Sequence, residues 1–141
     1  MTRKAMFPDR MSGLSNWIRS NCRSAKDGLS VVNIDYVIRR WDTKQFMVVE
    51  EKMFDGLLPY SQSQALRQLD SIFRQFGGGG EWSYVGFFLV RLSNKSPDDS
   101  DVIRINESVV TLDQLKEHLS IESLHAKPIE SAAEWKSITK H

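Results

Sequence analysis

Residues 31–52 constrain this chain more than any other stretch. They read VVNIDYVIRR, a polar break WDTK, then QFMVVEEK. Runs rich in Val, Ile and aromatic residues suit a pleated, half-buried surface, and a short polar break between two such runs reads as a turn. The expected element is a β-hairpin from Val31 to Lys52. Side chains alternate between the two faces of a strand. Asp35 therefore shares a face with Val31, Asn33 and Val37, and Phe46, Val48, Glu50 and Lys52 share a face on the second strand. Two acids and a lysine are set among residues otherwise suited to a core.

Two carboxylates directed into one space repel unless a cation sits between them. Hard divalent ions such as magnesium favour carboxylate and water oxygens, often alongside substrate phosphates. A neighbouring lysine steadies a phosphate or orients an attacking water. Asp35, Glu50 and Lys52 thus form a minimal set for metal-assisted phosphodiester hydrolysis. The opposing expectation is structural: Asp35 as an edge charge in solvent, and Glu50 to Lys52 as a strand ending at the surface.

The length of 141 residues suits one domain with a hydrophobic core. An apolar fraction of 40% with 26% charged residues is that of an ordinary globular protein, neither disordered nor membrane-embedded. Residues 1–60 carry 10 Lys/Arg against 7 Asp/Glu (+3), and the remainder carries 9 against 11 (−2), for a net +1. This mild asymmetry permits a nucleic-acid-facing N-terminal half; a purely electrostatic DNA binder would be more basic. Cys22 is the only cysteine, so no internal disulfide forms, which suits a reducing compartment. The basic start lacks a signal-peptide core behind it, and the best apolar run, Tyr84 to Val90, is far too short to span a membrane. The expected location is cytoplasmic, with no membrane partner.

Around the hairpin the chain reads as mixed α and β. Residues 1–11 form an irregular arm. Ser12 or Ser15 caps a helix to about Ala25, with Leu14, Trp17 and Ile18 inward and Arg19, Arg23 and Lys26 outward. Those three cations are either a solvated face or phosphate contacts, and Gly28 ends the helix. Arg39, Arg40 and Lys44 near the hairpin turn carry the same two readings. Trp41 either stacks on a base or covers the sheet edge. After a loop marked by Gly56 and Pro59, Ser61 or Ser63 caps the clearest helix, about Gln62 to Phe76. Its inward stripe is Ala65, Leu66, Leu69, Ile72, Phe73 and Phe76.

Gly77 to Gly80 lack the lysine and Ser/Thr of a phosphate loop and read as a connector. Trp82 to Leu92 read as a central strand covered on both faces, with Gly86 marking a twist, bulge or close approach. Asp98, Asp99 and Asp101 lack calcium-loop spacing and read as a solvated turn. A short strand follows over Asp101 to Ile105. Thr111 with Gln114 forms a capping box for a helix to about His118. A weak helix spans Ile129 to Ile138, and the last residues fray. The three histidines sit at no metal-site spacing, and His118 reads as surface or cap.

Asp35 on a strand, then Glu50-Glu51-Lys52 ending an apolar run, then a glutamine-bearing helix, resembles the active-site signature of the PD-(D/E)XK nuclease superfamily. That group includes restriction enzymes, Holliday-junction resolvases and phage exonucleases. The resemblance covers about residues 12–92, with an accessory strand and helices over about 101–140. It implies a restriction-endonuclease-like α/β (α+β) core: a central mixed sheet, a β-hairpin carrying the site, and flanking helices. It further implies Asp35 and Glu50 as magnesium or manganese ligands, assisted by the Glu51 carbonyl, with Lys52 on the attacking water. Gln64 is the positional match for the family's helix glutamine and Gln68 the next choice. The chain departs from the pattern at Asn33-Ile34, where the family often has proline, and in lacking a helix-borne acid before the hairpin, Asp27 being the nearest.

The implied activity is hydrolysis of duplex or branched DNA, with RNA open to the same chemistry. The alternative is a catalytically inactive nucleic-acid-binding or structural protein on the same scaffold. Arg19, Arg23, Lys26, Arg39, Arg40, Lys44 and Gln68 are the expected nucleic-acid contacts. A homodimer would supply the two sites that two cuts in a duplex need.

Overall fold

The hairpin forms. Its strands are Tyr36–Arg40 (β1) and Gln45–Lys52 (β2), antiparallel, with Tyr36 opposite Val49 and Arg40 opposite Gln45. Asp35 lies one residue before β1. The structure, a computed structural model, describes residues 13–22, 32–77 and 79–141; the side chains of Ser15 and Arg19 lie outside that description. So do Ser12, Arg23, Lys26, Asp27, Gly28 and Val31, on which several expectations fell.

The chain forms two compact units, residues 1–31 and 32–141. In the first, Gly13–Asn21 is a helix (α1), shorter than the expected span; Leu14 and Trp17 are exposed and Ile18 half-buried. The second unit continues from the hairpin through the helix Tyr60–Phe76 (α2) to Ser83–Leu92 (β3), which pairs parallel to β2. Parallel neighbours need a crossover, and α2 is that crossover. Ile103–Ile105 (β4) and Ser108–Val110 (β5) complete a mixed sheet of order β1-β2-β3-β4-β5. The second of these was expected only as a turn and an approach to the next helix. Leu112–Leu119 (α3) and Ala132–Ser137 (α4) follow. Among the described residues no helix is long and apolar enough to cross a membrane.

The sheet is packed on both faces. Met47, Val49, Phe88, Val90 and Ile105 pack with Leu115 of α3, whereas Val48, Phe87 and Leu89 pack with Leu66 of α2 and Trp135 of α4. A register shift after Phe46 makes these sets possible. Phe46 pairs with Tyr84 but Met47 pairs with Gly86, so Val85 is an extra residue in β3. An extra residue flips the alternation beyond it. Tyr84 and Phe87 thereby face α2 together, and Tyr84, Phe46 and Phe73 form a ring cluster with centroids 5.1–5.3 Å apart. Gly86 sits at φ +141°, a conformation that favours glycine, and a Cβ there would lie 2.3 Å from Pro128 Cβ.

α2 starts at Tyr60 behind Pro59, whose φ of −57° suits a helix start, and no serine side chain caps it. Ser63 is instead buried, its hydroxyl 2.6 Å from that of Thr139. The buried face of α2 is Ser63, Leu66 and Asp70, while Ile72 and Phe76 are exposed, against the expected stripe. Asp70 tolerates burial because the Tyr84 hydroxyl (2.6 Å) and Arg74 Nε (2.8 Å) donate to it.

The Thr111–Gln114 capping box forms as expected, and Ser131–Glu134 makes a second one on α4. The C-terminus is held, not frayed through. Thr139 bridges Leu58, and the Lys140 N–H donates to the Leu58 carbonyl at 2.7 Å.

His118 is fully buried, contrary to its expected place at the surface. Its Nδ1 accepts the His125 N–H at 3.0 Å, and its ring stands edge-on to Phe88. Burial, with the charge of His125, pushes its pKa from 6.5 down to about 4. The unfolded chain therefore takes up this proton first. Stability is expected to fall as pH drops from about 6.5 towards 4, by about 3 kcal/mol from this group alone. Urea unfolding at pH 7 and pH 4.5 checks this, with His118→Gln expected to lose that share of the pH slope.

Candidate functional site

β2 delivers Glu50 and Lys52 to the α2 side of the sheet at its carboxyl end, and the residue just before β1 delivers Asp35 beside them. Asp35 is 7% exposed and Glu50 0% exposed, so the acids do not form a solvated strand edge. The two acids are tied together through backbone N–H groups. Glu50 Oε1 accepts the Asp35 backbone N–H at 2.9 Å, and Asp35 Oδ2 accepts the Glu51 backbone N–H at 2.9 Å. β1 begins only at Tyr36, which leaves the Glu51 N–H without a strand partner on that side, and the Asp35 side chain takes the place of the missing strand. The N–H and C=O of one residue leave a strand on the same side, so the Glu51 carbonyl points along this same edge.

Glu50 is held against its charge. Burial first, then the neighbouring Asp35 side chain, push its pKa from 4.5 up to about 8, against the opposite effects of the Asp35 N–H and Lys52. The raised pKa favours the protonated form of Glu50, which relieves the repulsion between two neighbouring buried acids.

Lys52, the last residue of β2, is half-buried. The following loop folds back on it: a Cβ on Gly56 would lie 3.4 Å from Lys52 Cβ. Phe54 and Asp55 take left-handed backbone conformations there, at φ 54° and 56°. Such conformations are costly for non-glycine residues and persist where surroundings impose them. Here the Asp55 N–H donates to the Leu92 carbonyl at 2.9 Å, Arg91 donates to the Asp55 carbonyl at 3.0 Å, and Arg104 pairs with the Asp55 carboxylate at 3.2 Å.

The glutamine that reaches the acids is Gln62, not Gln64. Gln62 Nε2 donates to Glu50 Oε2 at 3.1 Å, while Gln64 Nε2 donates to the exposed Tyr60 hydroxyl at 2.7 Å. Residues two apart on a helix lie on nearly opposite sides. Gln62 is one turn before the buried Leu66, the signal that would have selected it. Gln68 is exposed and away from the pair.

Glu51 turns its side chain to the α3 face, where the Tyr36 hydroxyl lies 3.5 Å from its Oε2. Arg40 also leaves the site face, pairing with Asp42 at 3.0 Å and donating to the Ile121 carbonyl at 2.8 Å. That correction follows from the period of two: Arg39, not Arg40, shares a face with Asp35 and Val37. Arg39 and Lys44 both lie over the Trp82 ring, 4.4 and 5.4 Å from its centroid. Trp41 is 76% exposed and covers no edge.

Among the described residues no group of three or more His, Cys, Asp or Glu converges as a metal cage. Two carboxyl groups and a carbonyl fit the sparser protein share of a magnesium site, where water and phosphate fill the remaining positions. Neither family models, nor curated proteins, nor solved structures gave a match to this chain.

Proposed function

We propose that this protein is a magnesium- or manganese-dependent nuclease acting on DNA. The observation that carries the reading is the buried Asp35–Glu50 pair at the carboxyl end of β2, the Glu50 carboxyl accepting the Asp35 N–H at 2.9 Å, with Lys52 two residues on along the same face. A buried acid pair of this kind is costly unless a cation or a proton offsets it. Asp35, Glu50 and the Glu51 carbonyl are the groups that would hold the ion. A divalent ion there would polarise a phosphoryl oxygen and acidify a bound water. Lys52, at the rim, orients that water or offsets charge gathering on the phosphate. Gln62, not Gln64, is the helix glutamine at the acids, and it holds the Glu50 carboxyl in place.

Lys52→Ala is expected to lower the rate of metal-dependent cleavage by about 10²–10³-fold, with folding and most binding intact. The assay uses labelled single-stranded, duplex and branched DNA, with an RNA control, in magnesium, manganese and EDTA. Unchanged cleavage by K52A removes Lys52 from the mechanism. Absence of cleavage by the wild-type protein on every substrate with either metal removes the nuclease reading.

The second reading is a non-catalytic nucleic-acid-binding protein on the same scaffold. The full burial of Glu50, with donors on both its oxygens, favours it. Binding without cleavage in the same panel would select it.

A further inference from the structure

Along the site face, Asp35, Val37 and Arg39 follow one another at every second residue. Four residues of extended chain separate Asp35 from Arg39, about 13 Å. At the far end, Val37, Arg39, Phe46, Phe73 and Trp82 line a hollow of about 220 Å³. Two cations lie over the half-buried Trp82 ring, Arg39 at 4.4 Å and Lys44 at 5.4 Å. The turn that presents Lys44 is fixed: the Ser83 N–H donates to the Lys44 carbonyl at 2.8 Å, and Lys44 itself takes a left-handed backbone with φ 57°. Lysine rarely adopts that conformation, so the surrounding structure imposes it.

We infer that Trp82, Arg39 and Lys44 form a stacking platform for an unpaired base of a single-stranded nucleic acid whose backbone runs along β1 towards Asp35 and Glu50. The chemistry at the platform suits such a strand. Guanidinium planes and indole rings stack on any base, and the two cations neutralise its phosphates. Val37 and Phe73 supply an apolar floor. A base inside a duplex has no free face to offer, so the occupant is single-stranded: a frayed end, or an unpaired arm of branched DNA. The strand's direction towards the acids rests on the nuclease reading; the platform itself does not.

The test is fluorescence anisotropy of labelled oligothymidylate, the same strand with abasic sites, and a matched duplex, all in EDTA with the full chain. Trp82→Ala and the double variant Arg39→Gln, Lys44→Gln are expected to weaken oligothymidylate binding about tenfold or more. Trp82→Phe keeps a stacking ring and is expected to stay within about threefold of wild type, which separates lost stacking from lost folding. Arg67→Ala, exposed on α2, is expected to leave affinity unchanged. Abasic strands and duplex are expected to bind about tenfold more weakly than oligothymidylate. Binding indifferent to Trp82, Arg39 and Lys44, or duplex binding as tight as single strand, overturns the platform. Metal-dependent cleavage with either of those outcomes leaves the nuclease reading standing alone. Trp82-dependent binding without cleavage leaves the platform standing alone, and no binding to any probe overturns it.

Discussion

Glu50→Gln is expected to make the protein more stable above about pH 7 and to remove the proposed metal-dependent chemistry at the same time. Glu50 keeps its proton up to about pH 8 in the folded chain, against 4.5 ordinarily. Between those values the unfolded chain has lost a proton that the native state still holds. Stability therefore falls as pH rises from about 4.5 through about 8. Glutamine carries no charge to release, so the variant's advantage grows across that window and is largest above pH 8. Its amide oxygen can accept the Asp35 N–H while its NH2 donates to Gln62, which turns its own amide to accept. Thermal melting at pH 5, 7 and 8.5 checks the sign; equal melting temperatures of E50Q and wild type at pH 8.5 would mean that Glu50 is not held against its charge.

The same proton links stability to metal. An ion seated between Asp35 and Glu50 has to displace it, so magnesium binding at pH 7 is expected to release about one proton, with apparent affinity rising about tenfold per pH unit below pH 8. Calorimetry in buffers of different ionisation enthalpy reads that proton directly, independent of any cleavage. E50Q is expected to lose the proton release and about three orders of magnitude of cleavage rate, several kcal/mol of transition-state stabilisation. Gains in stability from removing a functional acid are the usual trade at such sites.

Gly86→Ala carries the largest expected stability loss, about 2–6 kcal/mol. Two separate costs meet there. The φ of +141° is strained for any L side chain, and the new Cβ would lie 2.3 Å from Pro128 Cβ. Proline has no flexible end to swing away. The segment around Pro128 is also tied down, by the Ile129 N–H on the Phe87 carbonyl at 3.2 Å and by Asn106 Nδ2 on the Lys127 carbonyl at 2.6 Å. In a double-mutant cycle, Pro128→Gly in the G86A background is expected to restore the share due to the clash and leave the share due to φ. Chemical denaturation of the four proteins measures both, and additive losses would show that Pro128 is not what excludes a side chain. Because the bulge at Val85 turns Tyr84 and Phe87 to one face, the Phe46–Phe73–Tyr84 cluster is expected to loosen with it.

The hairpin, the central strand and the Thr111 capping box were legible because each rests on neighbours in the chain: a period of two, a continuous apolar run, a Thr with Gln three residues on. The common face of Asp35, Glu50 and Lys52 followed from the same periodicity. β5 was missed because three residues carry too little pattern. His118 was misplaced because burial of a polar group depends on partners that local pattern does not show, here the His125 N–H. Gln64 is the positional match to the family's glutamine, but Gln62, one turn before the buried Leu66, is the one whose place on the helix brings it to the acids.

By itself, then, the amino-acid order determined which side chains travel together along each strand and helix, since backbone geometry repeats locally. Only the tertiary structure decided which of those faces meet: that the two acids touch, that Gln62 reaches them, and that Arg39 and Lys44 close over Trp82. Such meetings depend on the register of the hairpin, on the parallel pairing of β2 with β3 and on the seating of α2, and a change of one residue in strand register would send each side chain to the opposite side of the sheet.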